Sequence, residues 1–151
     1  MRNFDIAAYD ADGQIVLVVE IKKQLNTSRK WATMIRRNLY EHGFVPSVPY
    51  FLLATPDRFY LWEQLGQDEE LAEPDYEIDP RRFLSKYIKG SSFTWKDLSH
   101  ESFEIVVASW LHELLLFEDK VAMRSPGRKW LEGTGLLERI RDGQIAFDAV
   151  A

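Results

Sequence analysis

The sequence predicts an α/β fold, a mixed β-sheet flanked by helices, in a single domain of ordinary size. Three observations predict it. An Asp-Gly turn joins two apolar segments near the start of the chain. Two more apolar runs follow a helical stretch, so residues 1–63 read β-β-α-β-β. The remainder is mainly helical, with apolar residues recurring at three- and four-residue steps between 99 and 117.

The first strand spans about 4–10 and the second about 15–23. Between them, Asp10-Ala11-Asp12-Gly13 suits a tight hairpin, because Asp-Gly tolerates the positive φ that a two-residue loop requires. With Asp12 and Gly13 as the loop, Ala11 pairs with Gln14 and Asp5 stands opposite Glu20. Val16 and Val18 then point one way and Ile15, Leu17, Val19 and Ile21 the other, which describes a strand buried on both faces. Asn26, Thr27 or Ser28 caps a helix running to about His42, with Gly43 as its stop. Its apolar stripe is Trp31, Met34, Ile35, Leu39 and Tyr40, which leaves Arg29, Lys30, Arg36 and Arg37 for the edges and the polar face. Pro46 and Pro49 bracket a loop before the strand Tyr50–Ala54, and Pro56-Asp57 turns the chain into Arg58–Trp62.

Residues 64–79 carry seven acids (Asp68, Glu69, Glu70, Glu73, Asp75, Glu77, Asp79) and no base, and read as a solvated linker or loop. The segments on either side, 1–63 and 80–151, are each close to neutral, so the net charge of −5 belongs to this one stretch. Asp79-Pro80 opens a helix that stops near Gly90. Ser99 caps the longest helix, whose stripe is Phe103, Val106, Val107, Trp110, Leu111, Leu114 and Phe117, broadened by Ile105, Leu115 and Leu116. A short helix near Gly135–Arg141 and a strand at Gln144–Phe147 complete the 80–151 part, which packs on the same domain.

Composition excludes several classes. Hydrophobic residues at 46%, with five Trp, argue for a packed core rather than disorder. The absence of Cys excludes disulfides and thiolate chemistry, and agrees with a cytoplasmic protein. No apolar run approaches the ~20 residues that span a bilayer, and the start of the chain is no signal peptide, so no membrane partner is expected. No glycine-rich phosphate loop is present, since Gly133-x-Gly135 has no strand before it. His112-Glu113 lacks a partner at metal-ligand spacing, and Ser125–Trp130 reads as a turn leading to a buried Trp.

The chemistry concentrates in the hairpin. Glu20 and Lys22 share a face of the second strand, and Asp5 shares it across the ladder, so two carboxylates and an ammonium converge on one patch of sheet. Hard oxygen donors suit Mg²⁺ or Mn²⁺, and a cation beside them suits phosphodiester hydrolysis. The same triplet pattern recurs at Glu118-Asp119-Lys120 without a hairpin around it. Phe4-Asp5-Ile6-Ala7-Ala8-Tyr9-Asp10 with Val18-Val19-Glu20-Ile21-Lys22-Lys23 resembles the core of the PD-(D/E)XK nucleases, in particular the nuclease domain of type I restriction subunits and Holliday-junction-resolvase-like relatives.

That resemblance covers about the first 63 residues and implies a restriction-endonuclease-like core. It implies Asp5, Glu20 and the Ile21 carbonyl as metal ligands, with Lys22 orienting or activating the attacking water, and DNA as substrate. Asn3 or Phe4 stands where the family has Pro, and only four residues precede Asp5 where family members enter the hairpin from a helix that often supplies another Glu. A later segment is therefore expected to cover the sheet, and 99–117 is the candidate, from the same chain or from a partner in a homodimer. Glu101, Glu104 or Glu113 would then bring the further carboxylate. Restriction-type relatives also carry Gln-x-x-x-Tyr on the next helix; here Arg36 and Tyr40 hold those places as substrate-binding candidates. The alternative is an inactive nuclease-like module that docks on a nucleic-acid-processing partner through the 99–117 helix.

Overall fold

The computed structural model describes residues 3–41, 48–63, 72–88, 97–116 and 129–150. Its elements, in chain order, are β1 (Asn3–Tyr9), β2 (Ile15–Ile21), α1 (Arg29–Glu41), β3 (Tyr50–Thr55), β4 (Arg58–Glu63), β5 (Tyr76–Ile78), α2 (Arg81–Ile88), α3 (His100–Leu115), α4 (Lys129–Thr134), α5 (Leu136–Ile140) and β6 (Gln144–Val150). The six strands form one sheet in the order β5-β4-β3-β2-β1-β6. Only β2 and β3 are parallel, joined by the α1 crossover; the other neighbours are antiparallel. The protein is thus α/β, with a mixed sheet flanked by helices.

Two apolar cores explain why the middle strands carry almost no polar residue. On one face Ala32 and Leu39 of α1 close over Phe4, Ala7, Val18, Phe51, Leu53, Tyr60 and Trp62. On the other, α2 to α5 bury Ile6, Ala8, Leu17, Val19, Ile21, Leu52 and Leu61, with the rings of Phe59, Phe83, Trp110 and Trp130 clustered at centroid distances of 5.0–6.3 Å, Phe59 and Phe83 edge to face and the other pairs tilted. Each buried Leu or Phe of this kind stabilises the fold by about 1.5–3 kcal/mol. Trp130 is buried, as the sequence suggests, while the turn before it and the triplet 118–120 lie outside the described residues.

The hairpin differs from expectation at its tip and agrees further down. The loop has three residues, Ala11–Gly13. Asp10 N donates to Gln14 O at 2.8 Å, Gly13 N to Asp10 O at 3.0 Å, and Gly13 takes φ +82°. Asp10 Oδ1 accepts from the amides of Asp12 and Gln14, both at 2.9 Å, which favours this wider loop over a two-residue one. Tyr9 therefore pairs with Ile15, one step off the expected register. The ladder then shifts between Ala8 and Tyr9, and Val16 joins Leu17 on the same face instead of alternating with it. From Ala8–Leu17 to Ile6–Val19 the pairing is the one in which Asp5 faces Glu20.

Helix α1 is capped by Ser28, whose Oγ accepts from Trp31 N at 3.1 Å. Two of its side chains depart from the predicted faces: Met34 is exposed and Arg36 is buried. In α3 the Ser99 cap is as expected, with Ser99 Oγ accepting from Ser102 N at 3.0 Å. The stripe Phe103, Val106, Val107, Trp110, Leu111, Leu114 is buried, but Ile105 and Leu116 face solvent and do not broaden it.

The later part of the chain contributes more sheet than its helical reading implies. The described end of the acidic segment, 72–79, contains β5, which pairs with β4. The strand expected at Gln144–Phe147 runs on to Val150 and pairs with β1 from Tyr9–Gln144 to Asn3–Val150. It starts at a close backbone approach: a Cβ on Gly143 would lie 1.7 Å from Tyr9 O, so only glycine fits. Helix α3 then lies across β1, β2 and β6, giving this face of the hairpin its cover from the same chain.

Candidate functional site

The candidate site lies where β1 begins and β2 ends. Asp5 Oδ2 accepts a hydrogen bond from Ile21 N at 2.7 Å, so its carboxylate lies against the middle of the Glu20-Ile21-Lys22 triplet. Asp5 departs from regular alternation. Phe4 and Ala7 belong to the α1-side core and Ile6 to the other, while Asp148, the next partner along the β1–β6 register, has φ +50°. The irregularity leaves the Asp5 carboxylate free to replace a ladder carbonyl and to reach the start of α3.

That helix brings two titratable groups to Asp5. His100 Nε2 lies 3.9 Å from Asp5 Oδ2, and His100 Nδ1 lies 3.8 Å from Glu104 Oε2. Burial holds the Glu104 carboxyl above the usual carboxylate range. The negative charges of Asp5, Asp148 and Glu101 push the same way, and His100 opposes them. Of the three α3 carboxylates proposed from sequence, Glu104 is the one coupled to Asp5; Glu113 instead pairs with Lys86 Nζ at 2.6 Å on another part of the helix.

Glu20 sits deeper. At 3% exposure it is one of two buried charged residues among those described, the other being Arg36 at 1%. Strand alternation places Glu20 with Val18 on the α1 side, since Val19 and Ile21 belong to the opposite core. Asp5 and Glu20 are neighbours across the ladder, yet Asp5 turns toward α3 while Glu20 lies beneath α1. Lys22 follows on the α1 side at the strand end, half-buried, with its amide donating to Ala54 O at 2.9 Å. Lys23 beside it is exposed.

Arg36, a substrate-binding candidate from sequence, is buried in this arrangement. Its guanidinium carbon stands 5.8 Å from the Trp62 ring centroid, inside the α1-side core, so it is a buried cation of the scaffold and not a surface phosphate contact. The polar-face reading missed this because Arg36 looks like any cation in an amphipathic pattern, and the stacking partner is remote in sequence. Tyr40 belongs to α1, but its side chain lies outside the described residues.

Among the described residues no three His, Asp or Glu side chains gather around a common point suited to a metal ion. The donors are hard oxygens, the kind that suits a hard cation, but Asp5 and Glu20 turn to opposite faces of the sheet and do not converge on one patch as the sequence predicts. Asp5 and Glu104 are crowded carboxylates whose repulsion a divalent ion would relieve, and the oxygens of Glu20 and of the Ile21 backbone belong to the segment that Asp5 touches. No helix among the described residues is long and apolar enough to cross a membrane. Comparison with family models, with curated proteins and with solved structures gave no match to this chain.

Proposed function

We propose that the protein is a metal-dependent nuclease of the PD-(D/E)XK type that hydrolyses phosphodiester bonds in DNA. The observation that carries this reading is the 2.7 Å contact of Asp5 with Ile21, which joins the isolated hairpin Asp to the Glu20-x-Lys22 triplet. The covering helix α3 supports it, because it brings a further carboxylate, Glu104, to the Asp5 side of the hairpin. Asp5, Glu20 and the Ile21 carbonyl are the groups that the resemblance assigns to Mg²⁺ or Mn²⁺; holding one ion with both carboxylates requires Glu20 to turn out from beneath α1, and Glu104 is a further carboxylate on the Asp5 side. The ion would supply Lewis-acid polarisation of the phosphate and a more acidic bound water.

This chain's own residues then have separable tasks. Asp5 and Glu20 concentrate negative charge at the strand ends. Lys22, two residues past Glu20 on the same face, orients the attacking water and adds positive charge where the transition state gains negative charge. Lys23 points away from that face.

The test is cleavage of single-stranded, duplex and branched DNA in Mg²⁺ and in Mn²⁺ by wild type, Asp5→Asn, Glu20→Gln, Lys22→Ala and Lys23→Ala. Loss of the positioned Lys22 charge should cost about 3 kcal/mol, a hundredfold or more in rate. Lys23→Ala should cut nearly as well as wild type. A Lys22→Ala variant as active as wild type places the activity elsewhere. The burial of Glu20 favours a second reading, an inactive nuclease-like module docking on a nucleic-acid-processing partner. A wild type that cuts no substrate in either metal selects that reading.

A further inference from the structure

The described end of the acidic segment, 72–79, is folded onto cations near the end of β2. A single row of paired residues crosses four strands, Glu20–Leu53–Tyr60–Glu77. Residues in such a row present side chains on one face, and Leu53 and Tyr60 fix it as the α1 side. One step further along, Arg58 pairs with Thr55, next to Ala54, whose carbonyl takes the Lys22 amide. Arg58 and Lys22 thus lie at the same level and, by alternation, on the same face. Arg29 joins them from the first turn of α1. The loop before α1 is pinned to this end of the sheet by Thr27 Oγ1 with Tyr60 Oη at 2.8 Å and by Asn26 N donating to Asp57 Oδ2 at 3.1 Å.

Both arginines are engaged by the acidic segment. Glu77 Oε1 lies 3.5 Å from Arg58 Nε and Glu77 Oε2 lies 3.7 Å from an Arg29 guanidinium nitrogen. Glu73 lies 4.0 Å from Arg29, which also donates to Pro74 O at 2.7 Å. The backbone anchors do not involve these carboxylates: Trp62 Nε1 donates to Ala72 O at 2.9 Å, and Asp75 N to Leu61 O at 2.8 Å. Glu73 and Glu77 can therefore change partners while the segment stays in place. Their ion pairs are partly solvated and span 3.5–4.0 Å, the class of contact that stabilises least and that another anion can replace.

We propose that Lys22, Arg58 and Arg29 form a track for the phosphate backbone of a nucleic acid, and that Glu73 and Glu77 occupy its two arginines as a built-in phosphate mimic. The substrate-class part rests on the nuclease reading, because the track is continuous with Lys22. A backbone entering the track displaces the carboxylates, so affinity is held low until enough phosphates engage. This gives the acidic stretch a task that its location at one end of the sheet makes specific.

The experiment reads binding alone, in EDTA, by anisotropy of a labelled single-stranded DNA oligonucleotide across a salt series. Glu73→Gln with Glu77→Gln should tighten binding roughly five- to twentyfold and steepen the slope of log K against log salt by about 0.7 per arginine released. Adding Arg29→Gln and Arg58→Gln should abolish the gain. Glu113→Gln with Glu138→Gln, which makes the same change in net charge at other exposed positions, should leave affinity within about twofold of wild type. Glu73→Gln alone gives a smaller gain and alters a side chain that is 71% exposed, so it stands in if the pair misfolds. Unchanged or weaker binding by the folded Glu73 and Glu77 variants, an equal gain in the control pair, or no binding by any variant overturns the proposal. Tighter binding without cleavage in any metal leaves the track standing and removes the nuclease reading.

Discussion

Glu104 shows how one residue can be costly to the fold when it stands ionised and half-buried beside another carboxylate. Burial and the charge of Asp5 raise its carboxyl above the ordinary carboxylate value. A carboxylate with a raised folded-state pKa binds its proton better in the native state. Native stability from this group is therefore fullest below the unfolded value and falls as pH rises through the folded one. At neutral pH the ionised Glu104 opposes folding when no metal is present. Glu104→Gln should accordingly raise the Tm modestly at pH 7 in EDTA, with the difference from wild type closing at pH 4 and below; melts of the two proteins across that range check the sign. That Asp5 lies against the Glu20-Ile21-Lys22 triplet was legible because a turn signal and a triplet fix them within one hairpin, whereas the turning of Asp5 toward α3 and away from Glu20 was not, since it depends on a helix remote in sequence. The approach of Glu104 to Asp5 was legible only as one of three choices, since nothing local distinguishes it from Glu101 and Glu113. The burial of Arg36 was not legible at all, because Trp62 stands in β4, beyond the end of α1 and the whole of β3.

At the scale of elements, local signals carried further than pairings did. Caps at Ser28 and Ser99 and the Asp79-Pro80 start are decided by side chains within a few residues, and these helices begin where those signals put them. The hairpin tip failed by one residue because Asp10 offers its carboxylate to two amides and stabilises a longer loop. A bulge then restored the register that matters for Asp5. Strand β5 was obscured because it is three residues inside an acidic run, whereas β6 was legible at Gln144–Phe147 but its pairing was not, since its partner β1 is remote in sequence. The cap of α3 connects this scale to the site, since Ser99 immediately precedes His100 and sets the first turn, from which Glu104 follows one turn after His100. Ser99→Ala should cost about 1 kcal/mol, or ~2–4 °C in Tm for a chain of this length, and should weaken metal binding if α3 positions Glu104. Differential scanning calorimetry with a Mn²⁺ titration reads both effects.

For the whole molecule, the arrangement is a sheet whose central hairpin is closed from both sides, by α1 through the crossover and by α3 from the far end of the chain. Negative charge then collects at one end of that sheet, with Asp5, Glu104 and Asp148 toward α3 and Glu73 and Glu77 over the arginines near α1. A divalent ion that binds the native site and not the unfolded chain must stabilise the fold by mass action. At a hundredfold excess over its Kd the gain is ~2.7 kcal/mol, about 5–10 °C in Tm for a protein of this size. Wild type should show that rise in millimolar Mn²⁺, Asp5→Asn and Glu20→Gln should show little of it, and Lys22→Ala should keep it because an ammonium is not a ligand. The order of wild type and Glu104→Gln should also invert, with glutamine the more stable in EDTA and glutamate the more stable in saturating Mn²⁺. That inversion separates a metal ligand from a merely buried acid, because a structural role for Glu104 would leave the order unchanged when the ion is added. A wild-type Tm that does not move in Mn²⁺ or Mg²⁺ removes the metal from the site and with it the hydrolytic reading.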